Sequence, residues 1–306
     1  MSTTLIAEQL LNGLQFGLML FLLAAGLTLV FGIMDVMNLA HGSLYMVGAY
    51  LTATFAQATG SFWIAVPLAV LGTASVGLVL ELLLIRHLYA RDHLTQVLAT
   101  FAVILIADDG VRLIWGPSPI MLNGPAVLSG PVELLPGFLY PSYRLLIIGV
   151  GLACAISLYL LIAKTRAGQW VRAGASNREM AAVMGVPVAR LFTAVFALGA
   201  AFAALAGALL GPILAVEVGM GENILILALV VIVIGGIGSV RGAFVGALLV
   251  GLVDTAGRAF LPALLHAFLP LAVASNLGPA LAAIAIYVLM AAVLFLKPSG
   301  LFPART

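Results

Sequence analysis

Six stretches of the chain, 9–34, 36–80, 145–163, 191–216, 223–240 and 259–296, contain no Asp, Glu, Lys or Arg. A helix needs about 20 apolar residues to cross the hydrocarbon core of a bilayer. Divided at turn residues, the chain predicts about nine segments of this kind: 10–33, 44–59, 62–85, 94–115, 144–163, 191–214, 224–237, 242–262 and 278–296. The second and seventh are short, as a half-helix or re-entrant piece would be. Strand-like alternation is absent from these segments, and only a helix satisfies its own backbone polar groups in lipid.

Composition narrows the class. Lys and Arg number 13 and Asp and Glu 11, so charged residues are 8% of the 306, and 64% are hydrophobic. Soluble domains carry about 25% charge, and a water-soluble globule could not cover its surface with so little. The apolar content excludes disorder, and the single cysteine, Cys154, excludes a disulfide scaffold. The net charge of +2 gives no argument for nucleic acid. The fold class expected is all-α: one polytopic transmembrane bundle over 1–306, with 8–10 spans, some short or broken.

Basic residues set the orientation by the positive-inside rule. Arg86 and Arg91 share one connection, Lys164, Arg166, Arg172, Arg178 and Arg190 another, and Lys297 and Arg305 the C-terminus; with Arg241 they place 10 of 13 basic residues inside. The C-terminus is then cytoplasmic and the N-terminus external, which requires an odd number of crossings. The N-terminus lacks a basic n-region and its apolar run is a full span long, so a cleavable signal peptide is not expected.

Two long connections differ in kind. Residues 116–143 are proline-rich and almost uncharged, which suits an ordered external lid or plug. Within the cytoplasmic loop 174–190, Ser176 followed by Glu179 reads as a capping box. Met180, Val183 and Met184 fall on one apolar face, Gly185 suits the left-handed C-terminal position, and Pro187 blocks continuation. The pattern predicts a short amphipathic helix, either an interfacial helix resting on lipid headgroups or a docking knob for a partner's groove.

Glu179-Met180-Ala181-Ala182, with Gly185 and Val186-Pro187 after it, resembles the coupling loop of ABC importer permeases, with Met180 where the general pattern has alanine. Residues 31–50, FGIMDVMNLAHGSLYMVGAY, and 234–251, IGGIGSVRGAFVGALLVG, look like the opening and C-terminal signatures of the branched-chain amino acid permease family. The resemblance implies a type II-like importer permease architecture in the bacterial inner membrane. It implies that Ser176, Glu179, Met180, Ala181, Ala182, Met184, Gly185 and Pro187 form the ATPase-coupling element. The implied partners are two cytoplasmic ATPase subunits, a second permease subunit, identical or homologous, and a periplasmic binding protein. Members resembling this family serve branched-chain and other neutral amino acids, urea, short amides and some aromatic acids. No phosphate-binding loop ending in Gly-Lys-Ser/Thr exists in the chain; it is expected to be no enzyme and to hold no cofactor, with ATP and Mg bound by the partner subunits. No metal site is expected either, because the histidines are scattered.

Asn38, His41 and Ser43 lie where Gly42 is expected to break helicity, and Gly235, Gly236, Gly238 and Ser239 form a second such region. Both groups are candidates to line the substrate pathway; the alternatives are helix capping for Asn38 and His41 and small-residue packing for the glycines. Break followed by glycine-rich restart hints at a repeat, with His41-Gly42-Ser43 set against Arg241-Gly242-Ala243. Asp108 with Arg112, and Asp254 with Arg258, have i, i+4 spacing inside apolar segments and read as self-neutralised pairs, while Asp109 and Glu81 lie in or near spans. An intramembrane carboxylate raises the alternative of an ion-coupled secondary transporter. A structural subunit of a membrane enzyme complex is a third reading.

Overall fold

The computed structural model describes residues 3–302, so Arg305 lies outside the described residues. In chain order the helices are α1 (Thr3–Met34), α2 (His41–Thr59), α3 (Phe62–Leu80), α4 (Arg86–Leu88), α5 (His93–Trp115), α6 (Ser142–Lys164), α7 (Arg166–Ser176), α8 (Arg178–Val183), α9 (Val188–Leu210), α10 (Met220–Gly235), α11 (Val240–His266) and α12 (Leu271–Leu296). A π-helical turn, Glu81–Ile85, joins α3 to α4 without a break. Every one of the nine sequence segments coincides with a helix, α3 and α4 counting together. Six helices, α1, α3 with α4, α6, α9, α11 and α12, are long and apolar enough to cross a membrane. With 16 residues, α10 rises only about 24 Å, short of a hydrocarbon core about 30 Å thick.

Basic residues of separate connections gather at one end of the bundle: Arg86 reaches Thr193 at the start of α9, and Arg241 lies over the Tyr159 ring near the end of α6. There α5 starts at Asp92, whose carboxylate accepts from the Thr95 hydroxyl at 2.7 Å and the Thr95 amide at 3.0 Å. These bonds hold the Asp92 carboxyl below its ordinary range. The opposite end carries loop 116–143. It is not irregular throughout: β1 (Pro131–Leu135) and β2 (Phe138–Pro141) form an antiparallel hairpin. Gly137, at φ 79°, turns the chain between them. The Pro136-Gly137 turn sits outside the spans, where a strand edge can be hydrated. Ile120 also pairs with Val216, which fastens this loop to the α9–α10 connection.

The core is α1. Residues 17–30 are buried on every side of the helix, which a helix apolar all round requires. Partners are exchanged between the two halves of the chain: α1 packs on α10 and α11, and α9 packs on α2 and α3. Backbones touch where the halves cross. A Cβ on Gly26 would sit 2.8 Å from the Gly199 carbonyl oxygen, and one on Gly199 would sit 3.2 Å from that of Gly26. Gly42 and Gly221 are related in the same reciprocal way, each barring a side chain on the other. The two helix starts that meet are therefore those of α2 and α10, each following a long helix and a break. The register of residues 41–43 against 241–243 is overturned, because Gly242 packs on Gly235 instead. The first break also lies earlier than expected, between Met34 and His41, with Asp35 at φ 53°; Gly42 is already inside α2.

Candidate functional site

The loop between α6 and α9 is more ordered than its polar sequence indicates. Thr165 caps α7 by accepting from the Gly168 amide at 3.1 Å, and α7 then runs to Ser176, so Ser176 closes one helix instead of opening the next. The expected Ser176–Glu179 capping box is not formed. Asn177, with extended backbone at φ −157°, is the N-cap of α8, and its Oδ1 accepts from the Met180 amide at 2.9 Å. Glu179 falls in the first turn of α8, where a carboxylate faces the positive end of the helix dipole.

The far end of α8 closes as the sequence predicts. Gly185 takes φ 87°; its amide donates to the Ala182 carbonyl, and the Val186 amide to that of Ala181, both at 3.0 Å. This pair of bonds is a Schellman motif, and Pro187 follows as the N-cap of α9. Ala181 faces inward, while Met180 is 59% exposed, Val183 82% and Met184 78%. The result is a short, doubly capped handle at the basic end, with an apolar face that nothing among the described residues covers.

At the α2 start, Asn38, His41 and Ser43 are all buried. Neither Asn38 nor His41 caps the helix, whose N-cap is Ala40 with no side-chain bond. The Asn38 amide has no hydrogen-bond partner among the described residues, and the His41 ring lies against Gly26 and Gly199. Ser43 lines a narrow crevice with Leu39, Gly42, Asp108, Gly221 and Glu222. The second candidate group is elsewhere. Gly235 packs on Gly242 and Gly236 on the backbone at Ser299 and Phe302, while the Ser239 hydroxyl caps α11 by accepting from the Gly242 amide at 3.1 Å. Gly238 meets Gly32 at the end of α1. The residues of the two groups thus pack against different partners.

The two acid–base spacings have different outcomes. Asp254 and Arg258 form an ion pair at 2.8 Å, beside an open cleft of about 330 Å³ lined also by Gln9, Phe16 and Thr255. Asp108 forms no ion pair with Arg112 among the described residues and lines the same crevice as Glu222 of α10. Glu81, which the spacing left without a partner, is fully buried and ion-paired to Arg86 at 3.4 Å. Its carboxylate also accepts from the Tyr89 hydroxyl at 2.5 Å and the Thr193 hydroxyl at 2.9 Å. Sequence reasoning missed this cluster; its signal was a lone carboxylate five residues before an arginine at the end of a span.

Residues 9–296 match the family model described as the permease component of branched-chain amino acid transport systems. The chain is 30% identical over 264 residues to the high-affinity branched-chain amino acid transport system permease protein BraD of Pseudomonas aeruginosa, covering 82% of this chain and 85% of that one. Against the corresponding permease protein LivH of Salmonella typhimurium the identity is 28% over 274 residues, with 83% and 86% covered. The probable branched-chain amino acid permease LivH of Methanocaldococcus jannaschii is 30% identical over 246 residues, with 78% and 76% covered. No solved structure matches the chain significantly. Helices fit to span a membrane and a match over nearly the whole length lead to one conclusion: the chain belongs to the branched-chain amino acid transport permease family, whose members are transport components and not enzymes.

Proposed function

We propose that this chain is the membrane-spanning subunit of an ATP-driven importer for branched-chain or related neutral amino acids. In this reading the basic end faces the cytoplasm of a bacterial inner membrane, and α8 seats in a groove of an ATPase subunit. Two such subunits bind ATP and Mg, a second permease subunit completes the membrane unit, and a periplasmic binding protein delivers substrate. The observation that carries the reading is the exposed face of Met180, Val183 and Met184 on a handle fixed at both ends. Methionine adapts to a partner's groove, and a loop that only joined two spans needs no such face. Closure of the ATPase pair around ATP would move the handle as a rigid body and switch access across the bundle.

Substrate would pass near the buried polar group Asn38, His41 and Ser43, where α2 begins inside the bundle; broken helices at that depth line cavities in transporters. Gly235, Gly236, Gly238 and Ser239 would belong to the same path only at its cytoplasmic end. The ion-coupled alternative gains nothing from Asp254, which already carries its own cation in Arg258.

The test is Met180→Asp. The substitution puts a charge on the docking face, at a helix position where the dipole tolerates an acid. Copurification of the ATPase subunits and ATP-dependent uptake into vesicles should both be lost while the permease still inserts. Uptake that ends when ion gradients collapse, yet persists without ATP, would refute the reading.

A further inference from the structure

The Glu81 cluster stands at a junction of three elements. Glu81 opens the π-helical turn that ends α3, Tyr89 follows α4, and Thr193 lies in the first turns of α9, immediately after the α8 handle. π-Turns inside helices are rare and collect at functional sites. A fully buried carboxylate at the end of a span is costly unless paired and hydrogen-bonded, and here it is both. Arg86 binds Glu81 and also donates to the Thr193 hydroxyl at 3.0 Å. The Thr193 hydroxyl, in turn, donates to Glu81. Among the described residues this is the polar tie from α3 to the foot of α9, and the ring of Phe192 beside it packs edge-on against Tyr89 at 5.3 Å.

We infer that Glu81 and Thr193 act as positioning residues: they clamp the foot of α9 to the end of α3, so that displacement of the α8 handle is passed into the bundle instead of being absorbed by the loop. The inference rests on the docking role proposed for α8. Its physical content is that Val186-Pro187 leaves little slack between handle and α9, the Val188 amide donating to the Val186 carbonyl at 2.8 Å. A push on α8 therefore rotates α9, and α3 follows only as far as the polar tie holds. Apolar packing between α3 and α9 alone would let the two slide, whereas a charge-assisted network has one preferred arrangement.

The experiment compares Thr193→Val, which removes the hydroxyl at nearly constant volume, with Thr193→Ser, which keeps it; Glu81→Gln is the second arm. Each is made in the complete transporter reconstituted with its ATPases and binding protein, and two quantities are read: stimulation of ATP hydrolysis by loaded binding protein, and substrate moved per ATP. Thr193→Val and Glu81→Gln should each lower both by roughly 2–30-fold, the span for substitutions on a coupling route, with the ATPases still bound and unstimulated hydrolysis unchanged. Thr193→Ser should behave as the parent. A merely structural role would lower the amount of intact transporter and leave the ratio per ATP alone, and that result overturns the inference. So does normal coupling in Thr193→Val. Met180→Asp tests the docking reading separately: ATPases that stay bound to it refute that reading whatever the position 193 variants do.

Discussion

Gly185→Val isolates one energy in the handle. Gly185 sits at φ 87°, and nothing lies within 4 Å of the position a Cβ would occupy. A Cβ therefore meets no clash, and its penalty is conformational. For an L-residue in the left-handed region it is about 1–2 kcal/mol, with β-branched valine at the unfavourable extreme and asparagine least affected. Six residues of α8 are far too few for a helix to persist alone. Its order depends on the Asn177 cap, the two closing bonds and the inward Ala181, so a loss of this size falls directly on the local opening equilibrium. One to two kcal/mol multiplies the open population by about 5–30. Amide hydrogen exchange over residues 180–186, followed by mass spectrometry on the protein in lipid nanodiscs, reads that factor. Gly185→Val should exchange about 5–30 times faster than the parent there, with the spans unchanged and Gly185→Asn close to the parent. If valine and asparagine accelerate exchange equally, or valine not at all, the left-handed closure is not what holds the handle.

Two further outcomes are expected. Asn177→Ala should destabilise α8 by about 0.5–2 kcal/mol through loss of its N-cap, whereas Glu179→Ala should cost only about 0.3–1 kcal/mol of dipole interaction; exchange at the Met180 amide ranks the two, and the reverse order would restore the Ser176–Glu179 box. Gly42→Ala should lower the thermal unfolding temperature, since its methyl group would overlap the Gly221 carbonyl oxygen and overpacking costs about 1–3 kcal/mol. Gly149→Ala, inside α6 with nothing within 4 Å, should not lower that temperature, since alanine favours the helix over glycine.

Where the sequence was legible, a physical constraint had few solutions. Lipid excludes charge, so charge-free stretches located most of the segments, and the shortness of 224–237 foretold the shortness of α10; 94–115 and 242–262 had to be read from apolar runs that carry charges. Gly185 and Pro187 were legible because only those residues suit their backbone positions. Helix α7 escaped because it is amphipathic and polar, and a search for apolar runs reads Arg166 to Ser176 as loop. The cap went to Asn177 and not Ser176 because both can cap; the choice fell where α7 ended, which local pattern does not encode. Asp108 and Asp254 show the limit most clearly. Each has an arginine four residues on, which places both groups on one side of a helix, yet among the described residues only Asp254 pairs with its arginine, an outcome of side-chain packing that spacing does not encode. The reciprocal glycine crossings were invisible for the same reason, since Gly42 and Gly221 share no motif, only a position at the start of two helices that meet.

The tail after α12 has a consequence for how the molecule is made. Leu301 and Phe302 donate their amides to the carbonyls of Ile234 and Gly235, both at 2.9 Å, and Gly300 rests on the backbone of Gly236. The corner between α10 and α11 is thus buttoned by residues synthesised long after it. During translation that corner stays unfinished, with its carbonyls open to water, until residues 300–302 have left the ribosome. A fusion spliced in between Leu296 and Leu301 would disturb an internal joint while seeming to alter only an extremity.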